Sequence, residues 1–208
     1  MTEVGHRLGD GQGQLVGGYR LLNAEGSQGG VETRLSVNSF QLDWGPDPVE
    51  IVPRYTLDWR IGARADQVYF DTRQALPGGQ VYQASNNFFG GGIHGRADLE
   101  RRIVLIPGLS LFGRLDASVL SGNVQQRYRN EAAGVTITAR TTRLVPNVQA
   151  QAGLSFAPQG IPGLKITGGW MIEEYWKVGT LGVNLNGSVV TKGDAWWHGP
   201  FLRAQYDF

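Results

Sequence analysis

Residues 54–72, RYTLDWRIGARADQVYFDT, alternate apolar and polar side chains with a period of two. Tyr55, Leu57, Trp59, Ile61, Ala63 and Ala65 fall on one face, and Thr56, Asp58, Arg60, Gly62, Arg64 and Asp66 on the other. That period belongs to a β-strand. It recurs through nearly the whole chain, while helical periodicity is nearly absent. Strand candidates lie at about 12–24, 32–45, 54–72, 80–102, 108–128, 135–157, 163–179 and 195–208. Several exceed the usual 5–6 residues of soluble strands and match the 9–11 or more of a tilted membrane-spanning strand. The expected fold is all-β: an antiparallel up-and-down transmembrane β-barrel with about eight strands in this segment, or part of a larger barrel. Residues 1–208 are expected to form one domain. Residues 2–8 read as the end of a further strand closed by a tight turn, which predicts an N-terminally truncated chain.

The other candidates sort the same way. Phe89, Ile93, Ala97 and Leu99 oppose His94, Arg96, Asp98 and Glu100. Leu111, Leu115 and Val119 oppose Arg114 and Asp116; Val148, Ala150 and Leu154 oppose Gln149 and Gln151; Ile166, Trp170 and Ile172 oppose Lys165 and Glu173. A soluble sheet also alternates, but its wet face is usually a scatter of Lys, Glu, Ser and Thr. Here that face is rich in Arg and Asp and poor in Lys, and the two recur at i, i+2: Asp58–Arg60, Arg64–Asp66, Arg96–Asp98 and Arg114–Asp116. Guanidinium and carboxylate pair well in confined space. The expected lumen lining is therefore Asp58, Arg60, Arg64, Asp66, His94, Arg96, Asp98, Arg114, Asp116, Gln149, Gln151, Glu173 and Arg203. Aromatics mark the ends of the apolar face as at membrane interfaces: Tyr55, Trp59, Trp170, Trp176 and Tyr206. The chain ends GPFLRAQYDF, an alternating strand with Leu202, Tyr206 and Phe208 on its apolar face. Such an ending reads as the signal recognised by the outer-membrane barrel assembly machinery.

The connectors divide by parity. Pro-bearing turns (GPDPVEIVP, RIVLIPG, PQGIPG) mark one end, and polar loops of varied length (GSQGGV, RQALPGGQ, RNEAAG, TLGVNLNGSVVTKGD) the other. Short inner turns and longer outer loops are expected of an outer-membrane barrel. Gly is 31 of 208 residues, roughly twice the average of ~7%, which suits a twisted sheet with tight turns. With net charge +1 and no basic stripe, nucleic acid is not an expected partner. No cysteine is present, so disulfides and thiolate sites are excluded. The first residues carry neither a basic start nor an apolar signal-peptide core.

The phrases GQLVGGYRLLNAEGS, FQLDWG, LDWRIGARADQVYFD, NNFFGGGIHGRADLER, GLSLFGRLDASVLSGNVQQRY, GGWMIEEYWKVG and HGPFLRAQYDF together resemble the pore-forming major outer membrane proteins of the Legionella type. The resemblance implies a β-barrel in the outer membrane of a Gram-negative bacterium with a pore role. Relative to that family the chain is short.

Catalytic and metal readings are weaker. His94 and Asp98 share a face but stand ~13 Å apart along one strand at ~3.3 Å per residue. His94 is expected in a polar interior network. Gly90–Gly92 lack the helix and Lys of a phosphate loop. Asp43, Asp47 and Glu50 read as a solvated turn rather than a calcium site. Glu173 and Glu174 point to opposite faces and form no carboxylate pair. No enzyme activity, cofactor or metal is expected. The leading function is a porin-like channel, with the bilayer and small polar solutes or ions as partners. The alternatives are a closed structural barrel with an Arg/Asp-filled lumen and a soluble ligand-binding β-barrel. Oligomeric state is not readable from the sequence.

Overall fold

In the computed structural model, which describes residues 2–9, 11–75, 78–178, 182–183, 189–190 and 193–206 (backbone only at 182–183, 189–190 and 206), these segments are strands. They are β1 Thr2–Arg7, β2 Gln14–Gln28, β3 Val31–Gly45, β4 Val49–Val52, β5 Tyr55–Ala75, β6 Val81–Arg102, β7 Leu109–Asn130, β8 Val135–Phe156, β9 Leu164–Tyr175, β10 Gly182–Val183, β11 Val189–Val190 and β12 Ala195–Tyr206. One antiparallel sheet runs β1-β2-β3-β5-β6-β7-β8-β9-β12, with β4 paired to β5, while β10 and β11 pair separately. Each predicted strand is present, and β1 is the further strand read from residues 2–8. β4 lies inside a connector read as a plain turn: Val49, Ile51 and Val52 extend along the start of β5, with a register shift between Glu50 and Val52. Pro146 marks the end of the β8–β9 ladder, which begins at Asn147↔Tyr175; a proline nitrogen donates no ladder bond.

The sheet curls until its inner faces meet. Arg20 on β2 donates to Glu173 on β9 at 2.7 Å, and Phe112 on β7 meets Phe201 on β12 edge-on at 5.8 Å. Facing glycines allow close approach of two strands. Gly153 on β8 lies opposite Gly169 on β9, and a Cβ on either would sit 2.1 Å from a carbonyl oxygen of the other strand. The edge strands β1 and β12 share no ladder among the described residues.

The loop asymmetry differs from expectation. At the end expected to carry longer loops, β2 and β3 are joined by Gly29 and Gly30 alone, both at positive φ (59° and 79°). That is a two-residue hairpin turn matched to strand twist. Residues 131–134 are also a short link, so β2, β3, β7 and β8 themselves supply the length there, while β9 and β12 are separated by residues 176–194, the long segment expected at this end. At the other end the turns are exposed and apolar, with Ile51, Val104, Leu105, Ile106 and Ile161 at their tips.

The side-chain pattern inverts along the strands. From Leu109 to Val119, β7 turns apolar residues outward and Ser110, Arg114, Asp116 and Ser118 inward. Past Leu120 the outward residues are Ser121, Asn123, Gln125, Arg127 and Arg129, and the inward ones include Val124 and Tyr128. β8 repeats this: Leu144, Val148, Ala150, Leu154 and Phe156 face out below, Thr136, Thr138, Arg140 and Thr142 above. The lower half is built for lipid outside and polarity within. The upper half is built for water outside and an apolar core within.

Candidate functional site: a charged interior beneath an apolar cap

Adjacent strands bring inward residues into register. Arg60 lies opposite Arg96 and Asp58 opposite Asp98, so like charges face each other across β5–β6. Such pairs repel unless bridged. Within β5, Arg60 donates to Asp58 at 2.6 Å. Arg96 reaches Asp98 at 3.2 Å and Glu3 at 2.8 Å; Glu3 also lies 3.6 Å from Arg114 and 3.9 Å from Arg60. One carboxylate on β1 thus ties together three guanidinium groups.

The centre is tighter. Arg64 donates to Asp66 (2.9 Å), Asp116 (3.2 Å), Ser39 Oγ (3.2 Å), Glu173 (3.2 Å) and Tyr175 Oη (2.8 Å). Tyr175 in turn donates to Asp66 at 2.6 Å. His94 has Nδ1 2.7 Å from Asp43 and Nε2 2.8 Å from Asp116. Ionised carboxylates only accept, so a ring held by two of them donates from both nitrogens and carries a charge. Arg20, Arg60, Arg64, His94, Arg96, Arg114 and Arg203 are then matched in number by Glu3, Asp43, Asp58, Asp66, Asp98, Asp116 and Glu173. Burying charge in a barrel wall is tolerable only under such pairing.

Above this layer sits an apolar cap. Val37, Val68, Phe88, Leu120, Val124, Val145, Tyr175 and Val178 form one fully buried cluster, with Leu22, Leu35, Phe70 and Trp197 packed on it. Trp197 stacks on Tyr175 with centroids 5.4 Å apart. Below, Phe112 and Phe201 cross the bore, Arg203 lies over the Phe112 ring at 5.9 Å, and Lys165 pairs with Glu100.

The structure turns each expected lumen residue inward. Asp58, Arg60, Arg96, Asp98 and Arg114 join in a cluster around Glu3, and Arg64, Asp66, His94, Asp116 and Glu173 in a second one around Arg64; Gln149 joins the second through Glu173 at 3.4 Å, while Gln151 Oε1 has no partner. One pairing is corrected. Arg114 bonds not Asp116 but Asp98, directly opposite on β6, at 2.6 Å, and Asp116 serves His94 and Arg64. The i, i+2 rule counts one strand only, and the cross-strand partner is nearer. Asp43, read as a turn acid, is a buried inward residue of β3. Arg20, Glu3, Ser39 and Tyr175 were not foreseen; their inward phase was the available signal.

Among the expected interface aromatics, Trp59 faces outward and meets Trp44 edge-on at 6.2 Å, and Tyr55 lies under the Arg101 guanidinium at 5.5 Å, both near the inner turns. Trp170 lies one outward position inside the upper end of the β9 stripe, against His198, which stacks on Trp196. Trp176 follows β9 and donates its amide to Pro146 O at 3.0 Å. Leu202 is outward and 80% exposed. Tyr206 ends β12 opposite Leu164; its side chain, and Phe208, lie outside the described residues.

An antiparallel curled sheet with an aliphatic outer belt, aromatic flanks and a charged interior belongs to the class of transmembrane β-barrels. A family model described as Legionella pneumophila major outer membrane protein precursor matches residues 59–208. The chain belongs to that family, and is thus an outer-membrane barrel protein of a Gram-negative bacterium. Among curated proteins no match is found.

Proposed function

We propose that the chain works as a sealed outer-membrane barrel, which spans the bilayer, holds its extended hairpins beyond the outer face and passes no solute. The observation that carries this reading is the buried apolar cap over the paired charges: Phe88, Leu120 and Val124 are 0% exposed. A wet path through the bore would have to wet them. The same packing argues against catalysis, because the His94 side chain is fully buried with both nitrogens engaged. Its partners on this reading are the bilayer and the assembly machinery that reads the C-terminal strand.

The porin reading follows from the family resemblance, and one observation favours it. Arg20 Nε, Gln41 Nε2, Asp43 Oδ2 and Gln151 Oε1 are buried without a hydrogen-bond partner. A file of water along the bore would satisfy them. Conductance of the full-length protein in planar bilayers tests the choice. Silence from samples shown to be folded supports the sealed barrel. Stable steps with weak ion preference overturn it in favour of a pore for small polar solutes or ions.

A further inference from the structure

The water-facing upper half of the sheet is not uniform in charge. On β2, β3 and β5 the outward residues mix signs: Glu25, Glu32 and Asp71 with Arg34 and Arg73, and Arg34 pairs with Glu25 at 3.3 Å. On β7 and β8 the outward residues of this half are Arg127, Arg129 and Arg140, with hydroxyl and amide groups between them and no outward carboxylate on either strand. Among the described residues only Arg129 of the three forms an ion pair, with Glu131 in the turn at 3.0 Å. Arg140 holds Gln125 at 3.3 Å, directly opposite it, and Arg127 lies opposite Thr138.

Directly beneath, the same two strands carry the aliphatic stripe: Leu115 and Val119 on β7, Leu144 and Val148 on β8. Between stripe and arginines stand Ser121, Asn123 and Thr142, with Thr142 donating to Asn123 at 3.0 Å. Arg140 is two outward positions above Leu144, about 13 Å along the strand at ~3.3 Å per residue. The sector therefore grades upward from aliphatic to hydroxyl and amide to guanidinium, of which only Arg129 faces a carboxylate among the described residues. A ligand matching this gradient has acyl chains at one end and a sugar head group bearing hydroxyls and phosphates at the other.

We propose that this outward sector of β7 and β8 binds a phosphorylated glycolipid of the outer leaflet, with Arg140, Arg127 and Arg129 taking its phosphates. Guanidinium groups grip phosphate through paired, charge-assisted hydrogen bonds. The bilayer presses the acyl part onto the stripe, so the lipid is held at two points and a soluble phosphate at one. The binding does not depend on whether the bore is sealed.

The test uses the full chain in phosphatidylcholine nanodiscs doped with diphosphoryl lipid A, with lipid retained on the extracted protein counted by native mass spectrometry. The variants are the triple Arg127→Gln/Arg129→Gln/Arg140→Gln and, as a control on the other sector, Arg34→Gln/Arg73→Gln. All five side chains are exposed, so folding is preserved, and heat-modifiable migration checks it. The expected result is retention by the native chain and the control, and a loss of roughly tenfold in the triple variant, the scale of three surface ion pairs. Dephosphorylated lipid A is expected to bind no better to the native chain than to the triple variant. Equal retention of diphosphoryl lipid A by the triple variant, equal binding of the dephosphorylated lipid by the native chain, or full displacement by millimolar inorganic phosphate would each overturn the proposal.

Discussion

Each ring nitrogen of His94 meets a carboxylate, so replacing the ring leaves Asp43 and Asp116 facing an apolar side chain. His94→Leu is expected to destabilise the barrel by about 3–5 kcal/mol, the usual cost of stranding a buried charge. Urea titration of the folded band in detergent measures it. Arg60→Leu and Arg114→Leu should cost a similar amount, about 3–5 kcal/mol, because each strips a partner from Asp58 or Asp98; a near-neutral result would mean that these residues face bulk water. Glu3→Gln removes the carboxylate shared by Arg60, Arg96 and Arg114. It should lower stability without altering the strand content seen by circular dichroism. Alternation revealed which way these side chains point, since phase is local to a strand. It did not reveal who pairs with whom: Arg114 finds Asp98, and His94 finds Asp43, only through the register between strands.

Strand polarity switches sign part-way along β7 and β8, and this is why the upper half was not legible. Leu120, Val124 and Val145 occupy the same inward phase as Arg114 and Gln149, so period-two counting continues past the switch unchanged. The switch is visible only when the two phases are followed along the strand, from Val119 to Ser121 outward and from Ser118 to Leu120 inward. Turn chemistry misled for a related reason. The glycines in GSQGGV read as loop material, whereas Gly29 and Gly30 make the shortest hairpin link and pass the length to β2 and β3. At the β8–β9 crossing, Gly153→Ala places a methyl group 2.1 Å from the Gly168 carbonyl oxygen. It should cost about 1–3 kcal/mol, as overpacking does, and lower the yield of heat-modifiable folded protein; an unchanged melting midpoint would show that the strands can part there at no cost.

For the whole molecule, the two halves imply one placement in the bilayer. The aliphatic belt lies in lipid, the apolar inner turns stand at its lower interface beyond Tyr55 and Trp59, the Arg-bearing hairpins stand in water, and the paired charges are enclosed by the sheet. The long strands of the main sheet, the lipid-facing stripe and the polar interior could be read from the sequence, because the bilayer imposes the same alternation on every strand; the short β4, β10 and β11 could not. The apolar cap could not, because it depends on how far the strands run past the membrane. The native sequence has no cysteine, so a nitroxide can be attached at each position of β7 in turn. The most direct measurement is its collision rate with oxygen and with a water-soluble nickel chelate across 109–129 in bilayers. Odd positions should favour oxygen up to Val119 and nickel from Ser121 onward, with even positions shielded from both throughout. Oxygen preference continuing at odd positions to Arg129, or nickel access at Asp116 and Leu120 alike, would contradict a lipid-facing lower half topped by a water-facing, capped upper half.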